Sequence, residues 1–175
     1  MNAVMTNIDP RKIQAAIEAA KWLPHGPERE NSREADKFVI RAYVEMFEEL
    51  GRLAGLQLRS RNSEVVMAII DSIEGRIGSR NALDTLCHYL GEELSTQVLA
   101  VVPEFKLSDC SEEDRFVVRY PLEVRDAMFQ AAEKEGAESG IAWLVGTLLY
   151  WINAQRKKYA LYRALSVINS SIEGE

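Results

Sequence analysis

Two short segments of this chain repeat one alternating pattern, and this repeat constrains the fold more than any other feature of the sequence. Residues 36–41 read DKFVIR and residues 114–119 read DRFVVR, so the offset is 78 positions. In both copies two bulky apolar residues alternate with charged residues and a valine, which is the period of a β-strand with one buried face. A single short strand leaves the N–H and C=O groups of its edges unpaired. Each copy therefore needs a partner strand, in this chain or in another.

The alternation divides the side chains of each strand between two faces. In the first strand, which the pattern predicts at 37–43, Phe38 and Ile40 face a core. The opposite face has Lys37, Val39 and Arg41 in the first copy and Arg115, Val117 and Arg119 in the second. Charges at such positions also occur on exposed strand edges, where they prevent unwanted pairing.

A helical pattern follows each strand. Apolar residues at helical spacing predict helices at about 43–55 and 62–75 after the first strand. A shift of 78 positions finds apolar or small residues at the corresponding places after the second strand, and helical periodicity continues to about residue 168. At this offset the apolar stripe of the second helix corresponds to Trp143, Leu144, Thr147, Leu148 and Trp151. The order strand, helix, helix therefore occurs twice.

Two further helices are predicted outside the repeats. Residues 9–23 form a short amphipathic pattern that starts with Asp9 as a candidate N-cap and Pro10 in the first turn. Residues 80–101 predict one linking helix, which Pro103 closes. A helix at 9–23 can serve as an oligomerisation arm or pack on the adjacent domain, and the sequence does not choose between these roles.

The charge distribution limits the kinds of partner. The formal net charge is −6 and the isoelectric point is near 5.1, which argues against a protein that coats nucleic acid over its whole surface. The segment 81–111 has five acidic residues against Lys106 alone, whereas residues 33–80 are balanced and arginines are frequent in their second half. A local basic surface is therefore compatible with the global acidity.

Other classes of protein find no support in the sequence. The residues Cys87, His88, Cys110 and His25 do not have the spacing of a zinc site, so reduced cysteines and no metal are expected. The chain has no phosphate-binding glycine loop, no HExxH and no recognisable nucleophile–base pair, so we expect no catalytic residue, no cofactor and no enzyme activity. No secretory signal and no apolar run of membrane-spanning length is visible, which predicts a cytoplasmic protein.

The segment 32–73 resembles the Arc/Mnt type of ribbon-helix-helix repressor, with most likeness to the AmrZ branch. Its most specific pieces are DKFV-R and RS-NSE at their correct separation. In this family two strands pair antiparallel into a ribbon that enters the major groove of DNA. The resemblance implies that Lys37, Val39 and Arg41 face base edges, where lysine and arginine can donate to guanine and valine can contact a thymine methyl group.

The resemblance also implies a phosphate-binding helix start at residues 59–63. It assigns phosphate contacts to Ser60, Asn62 and Ser63, and Arg59 and Arg61 add positive charge there. Arg59 and Glu64 align with two members of a buried Arg–Glu–Arg triad in Arc, but the third position is Ala68. A structural ion pair is therefore expected for Glu64.

The second unit departs from the family pattern after its first helix. Residues 136–143 read GAESGIAW, so an offset of 78 puts Glu138 in place of a phosphate-facing serine and Gly140 in place of the asparagine. We therefore expect the second ribbon, with Arg115, Val117 and Arg119, to bind DNA more weakly than the first.

The predicted fold is mostly α, with two ribbon-helix-helix units. Its parts are an N-terminal amphipathic helix and linker at 1–32, a first unit at 33–76, a linking helix and acidic connector at 77–113, and a second, degenerate unit with an extended C-terminal helix at 114–175. Strand pairing between chains, giving a homo-oligomer, is favoured over an intramolecular pseudo-dimer, because the first unit resembles subunits that pair with themselves.

The function expected from these features is a sequence-specific DNA-binding transcriptional regulator, a phage or bacterial repressor whose partner is double-stranded DNA. The alternative is a protein–protein interaction module that keeps the fold for dimerisation. The acidic charge and the altered second helix start favour that alternative.

Overall fold

The computed structural model describes residues 36–172. Of the predicted helix at 9–23 it describes only Arg11, Gln14 and Glu18, each in helical conformation, and the rest of that prediction lies outside the described residues. The chain divides into one unit at 1–31 and another at 32–175, and only the second is described further.

The described unit consists of a two-stranded ribbon and a set of helices. Its elements in chain order are β1 (Asp36–Tyr43), α1 (Val44–Leu56), α2 (Arg61–Ile73), α3 (Ile77–Leu90), α4 (Glu92–Ala100), a 3-10 turn (Leu107–Asp109), β2 (Glu113–Tyr120), α5 (Leu122–Lys134) and α6 (Gly140–Ile172). No described helix, α6 included, is long and apolar enough to cross a membrane.

The two strands of the repeat pair with each other in the same chain. β1 and β2 are antiparallel, and Val39 lies opposite Val117, its own counterpart at the offset of 78. The connector holds the start of β2 beside the start of α1. The Val44 N–H donates to the Glu112 C=O at 2.9 Å, and Ser111 donates to the Glu45 carboxylate. The sequence favoured pairing between chains, and this prediction is wrong for the described ribbon, because β1 pairs with β2 of its own chain.

The core lies under the inner face of the ribbon. Ile40 and Val118 are fully buried there, and Phe38 and Phe116 pack partly buried beside them, as the alternation predicts. Helix α6 packs against α1, α2, α3 and α4 and so forms the central element of the helical layer. Burying one such aliphatic side chain contributes roughly 1.5–3 kcal/mol, which fixes the register that exposes the other ribbon face.

The prediction of a single linking helix at 80–101 is wrong. The chain forms two helices there, α3 and α4, which meet at Gly91 with φ of +80°. The Gly91 N–H closes α3 by donating to the Cys87 C=O at 2.9 Å. The apolar stripe continued through the break, so periodicity did not reveal it, whereas the glycine is a C-terminal helix signal.

The repeat offset changes from 78 to 79 within the second unit. Leu58 and Gly136, 78 positions apart, both adopt positive φ after the first helix of their unit. The next helix is then capped by Ser60 in the first unit and by Ser139 in the second, 79 positions apart. Glu138 is therefore an inserted residue. The alignment that put Glu138 in the place of Ser60 is therefore wrong, because Ser139 has the cap that matches the Ser60 cap. The weaker DNA binding expected of the second unit stays a prediction.

A partly buried ion pair ties α1 to α6. Glu49 accepts from Arg52 at 2.7 and 2.8 Å and from Arg156 Nε at 2.7 Å. The hydrogen bond from Arg52, aided by the hydrogen bond and charge of Arg156, lowers the pKa of Glu49 from 4.5 to about 2, against the effect of burial. Arg156 also donates to the Pro103 C=O at 3.1 Å, so the same side chain fixes the connector.

Candidate nucleic-acid interface

The outer face of the ribbon is exposed and basic. The cross-strand register puts Lys37 opposite Arg119 and Arg41 opposite Arg115, with Val39 and Val117 between the two pairs. The valines are 46% and 49% exposed, and all four cations are exposed. The six residues predicted to face a ligand therefore lie together on one surface, and the two strands contribute three each.

Helix α2 begins beside the outer edge of β2. Ser60 caps the helix, since its hydroxyl accepts from the Ser63 N–H at 3.1 Å and lies 2.9 Å from the Ser63 hydroxyl. The Arg61 guanidinium lies 4.9 Å from the centre of the Phe116 ring. The predicted phosphate-contacting residues thus adjoin the ribbon, at the side of β2.

Asn62, for which the resemblance implies a phosphate contact, bonds the backbone of β2 in the structure. Its side-chain amide donates to the Arg119 C=O at 2.9 Å and accepts from the Arg119 N–H at 2.8 Å. These bonds satisfy both backbone groups of Arg119 on the outer edge of β2. Asn62 therefore holds the strand against the start of α2, and the contact spans 57 positions in sequence, so no local pattern indicates it.

Arg59 and Glu64 form the expected ion pair, in a larger buried cluster. The Arg59 Nε atom is 3.7 Å from Glu64 Oε2, and Glu64 is fully buried. Gln57 donates to both carboxylate oxygens, and the Trp151 indole N–H donates at 2.8 Å. The sequence placed Trp151 in an apolar stripe but gave no signal that its indole would face a carboxylate. Glu64 is a structural residue that fixes α2 to α6.

The start of α6 has the same cap without the basic side chains. The Ala142 N–H donates to the Ser139 hydroxyl at 3.1 Å, which matches the Ser60 cap. With the corrected offset of 79, Gly140 corresponds to Arg61 and Ile141 to Asn62. The polar and basic groups of the first helix start are thus replaced by residues that cannot donate from a side chain.

The geometry agrees with a comparison of the sequence with protein families. Residues 32–79 match the Arc-like DNA binding domain. The Arc-like segment contains β1, α1, α2 and the first residues of α3, and β2 lies outside it. No curated protein and no solved structure matches the chain significantly. The Arc-like strand therefore completes its ribbon with a strand from beyond the matched region.

Among residues 36–172 no group of three or more His, Cys, Asp or Glu side chains is arranged to hold a metal ion. Cys87 and Cys110 are free thiols. Burial, together with the nearby carboxylates of Glu45 and Asp109, raises the pKa of the Cys110 thiol, which keeps it in the protonated, weakly nucleophilic form.

Proposed function

We propose that this protein is a sequence-specific DNA-binding transcriptional regulator that inserts the β1–β2 ribbon into the major groove. The observation that supports this most is the exposed ribbon face, where four cations surround a valine pair beside an Arc-like helix start. The major groove of B-DNA is about 12 Å wide and admits a two-stranded ribbon.

The proposed base contacts come from both strands. Lys37, Arg41, Arg115 and Arg119 would donate to guanine O6 and N7, and Val39 with Val117 would contact thymine methyl groups. Their inward neighbours are held in the core, so the outer side chains project from a rigid support. A rigid support reduces the conformational entropy lost on binding.

The proposed phosphate contacts come from the start of α2. Arg61 is exposed there, and the free N–H groups of the first turn favour an anion. Asn62 acts indirectly in this proposal, because its amide is already bonded to Arg119 and sets the distance between helix start and ribbon. Phosphate contacts fix the register of the ribbon on the duplex.

The proposed binding unit is one chain, since both ribbon strands and both flanking helix starts belong to it. Occupation of a promoter groove by such a unit would exclude RNA polymerase, so repression is the regulatory outcome that we propose. Association of further chains on adjacent DNA sites is compatible with this unit.

The test is selection of bound duplexes from a random pool, followed by binding measurements at several salt concentrations. We expect enrichment of one motif and an affinity that falls linearly on a log–log salt plot. Lys37→Ala combined with Arg41→Ala should abolish specific retention. The matched control, Lys134→Ala with Arg163→Ala, removes the same charge from exposed helix positions outside the two strands and should retain specific binding.

An interaction module without DNA function gives a different result. It would enrich no motif, and the two double variants would behave alike. Equal losses from the ribbon and control variants would indicate non-specific attraction and would contradict the proposed function.

A further inference from the structure

The ribbon has two ends that are related by the sequence repeat. Lys37 corresponds to Arg115 at the offset of 78, and Arg41 corresponds to Arg119. A rotation about the Val39–Val117 pair therefore exchanges the Lys37–Arg119 end, called end A, with the Arg41–Arg115 end, called end B. Identical surroundings at ends A and B would give a binding surface with two equal halves.

The surroundings of end A are basic and polar. Asn62 bonds the Arg119 backbone to the start of α2. In the same turn the Arg61 guanidinium packs over Phe116, and its exposed charge remains beside the ribbon. Arg59 adds a further, one-third exposed guanidinium that is shared with Glu64. The start of α2, which Asn62 ties to Arg119 at end A, therefore adds a positively charged support along the outer edge of β2.

The surroundings of end B are apolar and acidic. Helix α6 packs against β1, and Ile141, which corresponds to Asn62 at the offset of 79, has no side-chain amide that could bond a strand backbone. Glu113 lies two residues before Arg115 on the outward face of β2, opposite Tyr43, and is exposed. The two base-facing cations of end B therefore share their face with the Glu113 carboxylate, and the first turn of α6 adds no cation.

The difference arises from a reciprocal exchange of side chains. In the first unit Gly51 leaves room for Arg61, since a Cβ at Gly51 would lie 3.9 Å from the Arg61 Cδ. In the second unit the corresponding residues are Phe129 and Gly140, and a Cβ at Gly140 would lie 3.1 Å from the Phe129 ring. A bulky apolar ring on the first helix has replaced a cation on the second, so the start of α6 is a well-packed surface without a charged clamp.

We infer that this protein recognises a non-palindromic DNA site in which the half under end A supplies most of the phosphate contacts. The inference rests on the proposed function and adds the symmetry class of the target. End B still presents Arg41 and Arg115 to base edges, so its half-site is read through bases with few phosphate contacts. Phosphate contacts supply much of the affinity and its salt dependence, so the two halves contribute unequally.

The first experiment uses the full chain and the motif selected from a random duplex pool. We expect a motif that differs from its own reverse complement, and phosphate ethylation that interferes with binding mainly on one flank. A palindromic motif with equal interference on both flanks would overturn the inference and leave the proposed function intact. Selection that enriches nothing would overturn the proposed function, and the inference with it.

The second experiment compares variants at the two helix starts on the selected duplex. Arg61→Met keeps an apolar stem over Phe116 but removes the charge, and we expect about tenfold weaker binding and a salt slope smaller by about one. Glu138→Gln removes the carboxylate just before α6 and should change affinity less than about threefold, towards tighter binding. Thermal unfolding of both variants establishes that the fold is retained. Unchanged affinity and salt slope for folded Arg61→Met would overturn the inference.

Discussion

The side-chain amide of Asn62, at the start of α2, forms hydrogen bonds with both backbone groups of Arg119 in β2. Replacing Asn62 with Ala leaves the Arg119 N–H and C=O without this partner, and each lost bond contributes about 1 kcal/mol. We expect Asn62→Ala to lower the free energy of unfolding by about 1–2 kcal/mol in urea titrations. Ser63→Ala, which removes an exposed hydroxyl of the same turn, is the control and should lower it by less than about 0.5 kcal/mol.

Arg41 should discriminate between bases without stabilising the fold. Its side chain is exposed on the outer ribbon face, so Arg41→Ala should reduce discrimination by ~1–3 kcal/mol at the contacted base pair. Competition binding with single-base variants of the selected site measures this loss. Arg119→Ala should relax a different base pair, and an unchanged base preference in both variants would show that the ribbon does not read DNA.

Substitutions of Phe38 and of its neighbour Val39 should have different effects, the first on stability and the second on DNA binding. Phe38 faces inward and contacts the Phe129 ring, whereas Val39 is 46% exposed on the outer face. Phe38→Ala should therefore lower the free energy of unfolding by about 2 kcal/mol through a partly filled cavity. Val39→Ala should lower it by less than about 0.5 kcal/mol but weaken binding to the selected site. Equal losses of stability would contradict the assignment of the two faces.

Two tryptophans offer a matched test of the buried carboxylate. The Trp151 indole donates to the fully buried Glu64, whereas the Trp143 indole donates to the exposed Glu135 at 3.1 Å. Trp151→Phe should cost about 1.5–3 kcal/mol of unfolding free energy, because a hydrogen bond to a buried charge is lost. Trp143→Phe should cost less than about 1 kcal/mol. A larger loss of unfolding free energy for Trp143→Phe than for Trp151→Phe in chemical denaturation would contradict the stabilising role of the Trp151–Glu64 hydrogen bond.

Glu49 should make the fold sensitive to acid. Its pKa is about 2 in the folded protein and 4.5 as an unperturbed group, so its contribution to stability is complete above pH 4.5. That contribution is lost as the pH falls from 4.5 towards 2, and it amounts to about 3 kcal/mol at most. Unfolding free energies of Glu49→Gln should show a shallower fall across this window than those of the exposed-site control Glu48→Gln. Parallel curves for the two variants would contradict the role of Glu49.

The sequence predicted the local elements well because their signals are local. The alternation of β1 and β2, the helices that follow them and the inward positions of Phe38 and Ile40 all appear in the structure. The family match at 32–79 agrees with the resemblance stated for the first unit. The AmrZ likeness, the DNA contacts and the weaker role of the second ribbon stay predictions.

What the sequence missed depends on contacts between distant segments. The partner of β1 could not be chosen from its own residues, because either strand satisfies the same backbone groups. The sequence did not indicate the insertion of Glu138, because the stripe from Trp143 to Trp151 is mostly apolar at an offset of 78 as well as 79, whereas in the structure the Ser139 cap distinguishes the two offsets. The Asn62–Arg119 and Trp151–Glu64 bonds join elements far apart in sequence, so no periodic pattern contains them.

The pairing of β1 with β2 in one chain determines how a mutation affects the two halves of the ribbon. When two identical subunits build a ribbon, one codon change alters both halves at once, and the target must change symmetrically with it. Here Arg41 and Arg119 have separate codons although they occupy equivalent places. A substitution at one of them alters one half of the surface and leaves the other as it was. Each half of the ribbon and its support can therefore change by substitutions that do not affect the other half, as Phe129 and Gly140 already differ from Gly51 and Arg61.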